Sequence, residues 1–494
     1  MRGNLWPNVA GRRGGTIATY STGVRPRRTL SPVAIEVGIL ALSAPFLLFP
    51  TVKPLATAVA LTSLAVWWLG RTALARRPFP VTPLNGALLL WATMVGIGIL
   101  VTAHPDATLP KATNLILGLA TVRMVVLVGQ SNGALRWLMG GLGLMGLGLL
   151  ALGLVTVSWP AKVSELTPAL TLLPADSLSL PEAISSGVNP NQLGGTLAML
   201  LPVAVAGVIW EMRAKRREGE KAKERKGEKA REREGERAKR REDNGTGRMS
   251  PLRTWMGLAG TGVLAGALVL TQSRSAWIGA IVGIVALLVL LGATSVRRHW
   301  RRASLVLLAL CGIGGLATVM ALGPESVSAL WETSRGVETA FAGTVNLSGR
   351  VEIWSRALYA IQDFPFTGCG LGAFREVLWL LYPPFTIPAT TDLAHAHNIF
   401  LQVAVDTGIP GLIAYVALLF TTAAMALRTA RTSPAHRYLA LGLLGGLIAL
   451  HTFGLTDALA PGSKPGLIFW TMLGLITVTE RLSRETAGRE TFKR

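Results

Sequence analysis

Long apolar runs without charged residues are the feature of this sequence that most constrains its fold. A membrane core about 30 Å thick needs about 20 apolar residues in a helix, and only helices or closed barrels satisfy their backbone in lipid. The runs lack the alternation of a barrel strand. The sequence therefore predicts an all-α polytopic membrane helix bundle with about twelve spans, at 33–50, 54–70, 84–103, 112–129, 137–159, 191–210, 254–271, 276–294, 303–323, 399–427, 438–455 and 466–480.

The positions of the basic residues predict how these helices are oriented. The chain has 494 residues and a formal net charge of +22, a combination that often indicates nucleic-acid binding. With both termini in the cytoplasm, however, 39 of the 49 Lys and Arg residues fall in cytoplasmic segments, as the positive-inside rule requires. The charge thus indicates an N-in, C-in protein that has the lipid bilayer, and no nucleic acid, as its partner.

Composition divides the chain into five predicted segments. They are the basic N-terminus 1–32, the first six spans 33–210, a charged linker 211–253, a second helical region 254–480 with the outer loop 324–398, and the basic tail 481–494. The linker holds three near-identical octads, GEKAKERK, GEKARERE and GERAKRRE, which lack an apolar face. We expect a solvated, partly helical or disordered connector, with nucleic-acid or lipid-headgroup binding as the alternative.

The long outer loop is rich in polar and aromatic residues. Trp354, Leu358 and Ile361 recur at helical spacing from Arg350. This pattern predicts an amphipathic helix near the membrane surface, ended by Pro365 and the glycine-rich turn that follows it.

Arg274 lies between the seventh and eighth spans, on the outer face that the positive-inside rule keeps poor in cations. Snorkelling of its side chain to the interface is one interpretation. Binding of an anionic group is the other, because ionisable residues at membrane depth are often functional.

The segment DLAHAHN leads into the tenth span and carries two of the six histidines, His395 and His397. With Asp392 it forms a D-x-x-H-x-H pattern that is compatible with a divalent metal. A histidine here is also suited to accept a proton near neutral pH, or it is simply exposed. The residues alone leave these readings open.

Several motifs together resemble the family of O-antigen ligases and O-antigen polymerase-like membrane glycosyltransferases, which includes relatives described as bicarbonate transporters. His397-Asn398 is followed after nine residues by Gly408-Ile-Pro-Gly411, similar to the family's H-N-x9-G-x-x-G signature. SGR at 348–350, FPFTGCGLGAF, NPNQLGGTLAM and the Ser273-Arg274 pair also fit. The resemblance spans about residues 185–480.

The resemblance implies an enzyme of the bacterial inner (plasma) membrane whose active site faces the periplasm or cell exterior. Such an enzyme transfers an oligosaccharide from a polyprenyl pyrophosphate carrier to an acceptor hydroxyl, with no metal, nucleotide or other cofactor. By the same resemblance, Arg274 and Arg350 are the pyrophosphate-binding arginines and His397 activates the acceptor. The candidate substrate-binding residues are Arg356, His395, Asn398 and Asp457.

The chemistry of the residues agrees with this reading. A sugar on pyrophosphate already carries a good leaving group, so the reaction needs cations that stabilise the departing phosphate, and the planar guanidinium matches phosphate well. The acceptor, a glycan, lipid or protein, decides between ligase and polymerase, and the sequence favours ligase only slightly. A secondary transporter for a small anion such as bicarbonate is the alternative from another class, but it would carry ionisable residues at the midplane of broken helices, and these spans are poor in charge.

Overall fold

The computed structural model describes residues 31–75, 80–157, 159, 168, 189–233, 251–332, 347–388, 391 and 393–492. Within these residues the chain forms α-helices and no strand, which agrees with the all-α prediction. In chain order the helices are α1 Pro32–Leu48, α2 Pro54–Ala75, α3 Asn85–Leu100, α4 Pro105–Val128, α5 Asn132–Thr156, α6 Pro190–Arg233, α7 Pro251–Leu270, α8 Arg274–Ala293, α9 Arg298–Glu332, α10 Leu347–Asp363, α11 Phe374–Leu381, α12 Ile399–Thr432, α13 Arg437–Phe453 and α14 Gly466–Phe492.

Each predicted span coincides with one of these helices, and α10 and α11 lie in the predicted outer loop. In the part of the chain that is described, five helices are long and apolar enough to cross a membrane: α4, α5, the first part of α6, α8 and α12. Helices α1, α3, α13 and most of α7 are apolar but shorter. This architecture is that of a polytopic helical membrane protein, while the count of twelve spans and the N-in, C-in topology stay predictions.

Helices α6, α8 and α13 pack closely against one another. Small residues allow this approach, because a Cβ at Gly283 of α8 would lie only 2.6 Å from the carbonyl oxygen of Gly445 on α13. The glycine-rich stretch GGLGLMGLG in α5 mostly does not pack in this way. Of its glycines only Gly146 lies against a neighbouring helix, at Leu200 of α6, and the others border open space.

The outer faces of the bundle are apolar. Leu69 on α2 and Leu89 on α3 are examples of large side chains that stay exposed. Surface leucines in this number are typical of a lipid-facing surface.

Contacts between loops sort the helix ends into two groups. At one end, Ser275 of α8 hydrogen-bonds Thr456, which follows α13 (2.8 Å between the hydroxyl oxygens). At the other end, His436 Nε2 lies 2.8 Å from Asn132 Oδ1, which joins the start of α13 to the start of α5. The grouping agrees with the predicted alternation of outer and inner segments. We call these the site end and the opposite end.

The predicted outer-loop helix exists, and it ends two residues before Pro365. Its buried face is centred about one position before the predicted one, although the predicted residue Ile361 does pack on the core of the outer loop. The fully buried apolar side chains are those of Ile353, Ala357 and Ala360, while half of Leu358 is exposed. Alanine side chains allow close packing, but they do not stand out in a pattern that is defined by large apolar residues.

The charged linker begins as a continuation of α6, which is helical as far as Arg233. Residues 234–250 lie outside the described residues.

Candidate active site

The start of α12 places the predicted histidines against the loop that follows α13. Asn398 caps α12, because its side-chain oxygen accepts hydrogen bonds from the N–H groups of Phe400 and Leu401. Its Nδ2 donates to the carbonyl of Leu455 at 3.1 Å. These bonds give Asn398 a positioning role at the start of α12, and its predicted contact with substrate stays a prediction.

His395, His397 and Asp457 come together at this junction. The Oδ1 atom of Asp457 lies 3.6 Å from His395 Nε2 and 3.7 Å from His397 Nδ1, and the two ring centroids are 4.3 Å apart. His397 is 6% exposed and Asp457 is 2% exposed. These distances slightly exceed hydrogen-bond length, but such contacts often tighten when substrate binds.

Backbone contacts determine which imidazole nitrogen remains for chemistry. The His397 N–H donates to His395 Nδ1 at 3.2 Å, so the proton of a neutral His395 ring is on Nε2, facing Asp457. The Ala458 N–H donates to Asp457 Oδ1, and Trp354 Nε1 donates to the carbonyl of His397. Asp457 also faces His397 Nδ1, which leaves His397 Nε2 as the ring atom directed away from this network.

Electrostatics keeps the two imidazoles neutral and the carboxylate ionised. Burial lowers the pKa of His397 to about 3, with further lowering by His395 and Arg350 and opposition from Asp457. Burial also lowers the pKa of His395. For Asp457, burial acts to raise the pKa, but the facing imidazoles, Arg350 and the Ala458 N–H hold it below its usual value.

Three cations lie close enough to this cluster to act on the charge of His395, and the sequence motifs point to only one of them. Lys111, Arg350 and Arg375 each lower the pKa of His395, after burial and against the opposing effect of Asp457. Arg350 is 8% exposed and lies on the buried side of α10. Lys111 comes from α4, and Arg375 from the first turn of α11. A group of positive charges around neutral imidazoles is suited to an anionic ligand.

The glycine-rich turn brings Lys111 to the site. Gly372 has φ +81°, and a Cβ on it would lie 2.9 Å from Lys111 Cδ. The Gly372 N–H donates to Asp406 Oδ1 at 2.9 Å, and the carbonyl of Leu371 accepts a hydrogen bond from Thr108 Oγ1. The turn therefore locks α4 and α12 together, and any side chain at Gly372 would meet the lysine stem.

Arg274 begins α8 at the same end of the bundle. Its neighbour Ser275 bonds Thr456, the residue before Asp457. In the part of the chain that is described, Gln272 and His397 are the two residues other than glycine with positive φ, +50° and +47°. Backbone strain of this kind concentrates at functional sites, and here it marks the segments that carry Arg274 and the histidine pair.

Arg356 lies elsewhere. Over six residues of a helix, the direction in which side chains leave the axis rotates by about 240°. Arg356 therefore projects from a different side of α10 than Arg350 does. It pairs with Glu352 at 3.4 Å and stacks on the ring of Phe385 at 4.8 Å. Glu352 also accepts the N–H groups of Phe385 and Thr386. These contacts show that Arg356 helps to hold the outer loop together, and its predicted contact with substrate stays a prediction.

His395, His397 and Asp457 are also the kind of set that holds a metal ion. Their ligand atoms all lie within 4.8 Å of one another, and the separations of 3.6 and 3.7 Å to Asp457 Oδ1 are close to the roughly 3.4 Å between donors around a tetrahedral zinc ion. The three nearby cations oppose a further positive ion. The nearby positive charge disfavours a metal here, and the absence of a metal cofactor stays a prediction; Asp392 of the predicted metal pattern lies outside the described residues.

Comparison with known proteins supports the resemblance derived from the motifs. Residues 259–416 match a family model described as O-antigen ligase. Over 236 residues the chain is 25% identical to the exopolysaccharide production protein ExoQ of Rhizobium meliloti, covering 46% of this chain and 52% of that protein. The chain thus spans about half the length of this curated relative. The predicted resemblance to O-antigen ligase-like proteins is confirmed.

A signal for the missed cations was present in the sequence. Lys111 and Arg375 belong to the few basic residues on the predicted outer face. The same rule that draws attention to Arg274 and Arg350 applies to both of them.

Proposed function

We propose that this protein is a membrane glycosyltransferase that moves an oligosaccharide from a polyprenyl diphosphate carrier to an acceptor hydroxyl. The observation that carries the proposal is the buried His395–His397–Asp457 cluster with Lys111, Arg350 and Arg375 nearby. It lies partly within a region that matches the O-antigen ligase family.

In the proposed step, the acceptor oxygen forms a bond to the anomeric carbon while the bond from that carbon to the diphosphate oxygen breaks. The acceptor proton passes to His397 Nε2. The electron pair leaves with the polyprenyl diphosphate, whose growing charge Arg350, Lys111 and Arg274 stabilise. A single displacement of this kind inverts the anomeric configuration.

Donor binding would also make His397 a better base. With a pKa near 3, His397 is a weak proton acceptor at neutral pH, because the ideal catalytic pKa lies near the operating pH. A diphosphate beside Arg350 offsets the positive charge that helps to lower the pKa of His397, and its own negative charge raises that pKa further. Proton acceptance is then favoured only when a donor is in place, and Asp457 stabilises the imidazolium that forms.

The acceptor separates two versions of this function. In a ligase the acceptor is a lipid or protein, and in a polymerase it is a second carrier-linked glycan. The family description favours the first version, whereas the name of the aligned relative, an exopolysaccharide production protein, favours the second. Both versions use the same donor site, which we place at the outer face of a bacterial inner membrane.

Anion transport is less well supported. Among the described helices, the buried ionisable groups include Glu36 of α1 and Arg123 of α4, whose side chains bind each other at 2.5 Å. Asp406 of α12 holds the glycine-rich turn. Groups engaged in this way are not arranged around a midplane site for a transported ion.

The test is a transfer assay with purified protein in lipid nanodiscs, a polyprenyl diphosphate-linked glycan as donor, and either a lipid or a second carrier-linked glycan as acceptor. Arg350→Gln should lower the transfer rate about 100- to 1000-fold, as expected for loss of a group that stabilises developing charge. Arg136→Gln removes an exposed arginine at the opposite end and should keep the parental rate. Bicarbonate uptake by proteoliposomes without any transfer would instead favour the transporter.

A further inference from the structure

A cavity of about 500 Å³ opens at the opposite end of the bundle, between α6, the turn from α12 to α13, and the end of α14. Its walls include Trp210, Arg213, Ser433, Tyr438, Ser483 and Thr486. The proposed transfer reaction uses none of these residues.

Arg213 is held in a fixed position at this cavity. Its Nη1 donates to the hydroxyl of Tyr438 at 2.7 Å. Its guanidinium carbon lies 5.6 Å from the centre of the Tyr438 ring and 5.3 Å from the centre of the Trp300 ring. Two aromatic faces and one hydrogen bond orient the planar group, so further N–H donors of the guanidinium are pre-positioned for a ligand.

The surroundings of Arg213 are polar and carry excess positive charge. Arg428 and Arg484 share the single carboxylate of Glu480 (3.2 and 2.5 Å), and both arginine side chains stay about half exposed. Ser483, one residue before Arg484, contacts Thr432 at 3.1 Å. The cavity therefore favours an anion over a cation or a neutral molecule.

The position of the cavity along the helices indicates which kind of anion it binds. The apolar stretch of α6 ends at Trp210, three residues before Arg213. Those of α12 and α14 end at Leu427 and Val478, each about one turn before the residues that line the cavity. Trp210 and Trp300 are partly exposed at the same level, as interfacial aromatic residues are. The cavity thus lies at the depth of lipid headgroups, on the side that the charge rule predicts to be cytoplasmic.

We propose that this cavity binds the phosphate group of an anionic phospholipid, with Arg213 as the principal ligand. Basic pockets between helices at the cytoplasmic side are suited to such headgroups. The lipid would join the start of the charged linker to the helical core, because Arg213 lies on α6 shortly before the octads begin at Gly219. The proposal does not depend on the transfer reaction.

The experiment is a titration of detergent-purified, delipidated full-length protein with phosphatidylglycerol, with bound lipids counted by native mass spectrometry. We expect saturable binding of phosphatidylglycerol and weaker binding of phosphatidylcholine. Arg213→Gln should weaken phosphatidylglycerol binding about five-fold, which corresponds to about 1 kcal/mol. The matched control is Arg216→Gln, which removes the same charge one turn further along α6, where the side chain is 82% exposed and pairs with Glu220; it should bind as the parental protein does.

Equal weakening by both substitutions would show only diffuse attraction and would overturn the site. Displacement of the lipid by millimolar glycerol phosphate would assign the cavity to a soluble phosphate compound and refute the lipid assignment. Tyr438→Phe keeps the ring but removes the hydroxyl that holds Arg213, and it should weaken binding about two-fold. This variant replaces Arg213→Gln if the latter aggregates, and parental affinity in it would contradict the proposed geometry.

Discussion

Replacing Asp457 by Asn removes the negative charge between the two histidines with little change in shape. In the proposed reaction His397 becomes positively charged, and its Nδ1 lies 3.7 Å from Asp457 Oδ1. At an effective dielectric constant of about 20, that attraction amounts to about 4 kcal/mol for full protonation. Since the proton is only partly transferred in the transition state, we expect to lose about 2 to 4 kcal/mol, which slows transfer about 30- to 1000-fold.

The assay is steady-state glycan transfer by purified protein in nanodiscs, with kcat and KM measured for the donor. The fall should lie in kcat, because removing a negative charge beside Arg350 does not weaken binding of an anionic donor. Asp363→Asn is the matched control, since this exposed aspartate bonds the Tyr382 hydroxyl of the outer loop instead; it should behave as the parental enzyme. A parental kcat in Asp457→Asn, or a rise in KM alone, would refute the proposed role and return Asp457 to substrate binding.

Three further predictions concern the same site. Arg274→Lys keeps the charge but loses the planar fork, so transfer should fall about 10- to 100-fold with normal membrane insertion, and full activity would favour snorkelling. Because the pKa of His397 is about 3 before the donor binds and rises afterwards, kcat should fall with decreasing pH at a higher pH than kcat/KM does; identical profiles would contradict activation by the donor. Transfer should persist in EDTA, whereas its loss and rescue by a divalent ion would make His395, His397 and Asp457 metal ligands.

Much of the fold follows from the sequence, because apolar length alone specifies where helices can cross a membrane. The predicted spans coincide with helices, but the charged continuation of α6 to Arg233 carries no such signal. The small residues that bring α8 and α13 together, such as Gly283 and Gly445, could not be chosen among the many glycines. Which helices touch depends on three-dimensional packing that a one-dimensional pattern does not record.

The residues of the site likewise fall into those that the sequence identifies and those that only the fold brings together. The H-N-x9-G-x-x-G motif and the SGR match single out His397 and Arg350. Asp457 Oδ1 lies 3.7 Å from His397 Nδ1, and Arg350 is among the groups that lower the pKa of Asp457. Lys111 reaches the cluster only because the turn at Gly372 packs on α4, a contact between distant parts of the chain. Conversely, the positive-inside rule marks both Arg350 and Arg356 as unusual cations of the outer face. It cannot separate them, because they differ only in the side of α10 from which they project.

The central claim is that His397 accepts the acceptor proton during transfer from a diphosphate-linked donor. The most direct test is the transfer rate of purified His397→Ala protein in nanodiscs, measured at saturating donor and acceptor. The proposed mechanism predicts a rate at least about 100-fold below the parental rate, the usual contribution of a general base, with donor binding retained. Transfer at the parental rate would contradict the claim.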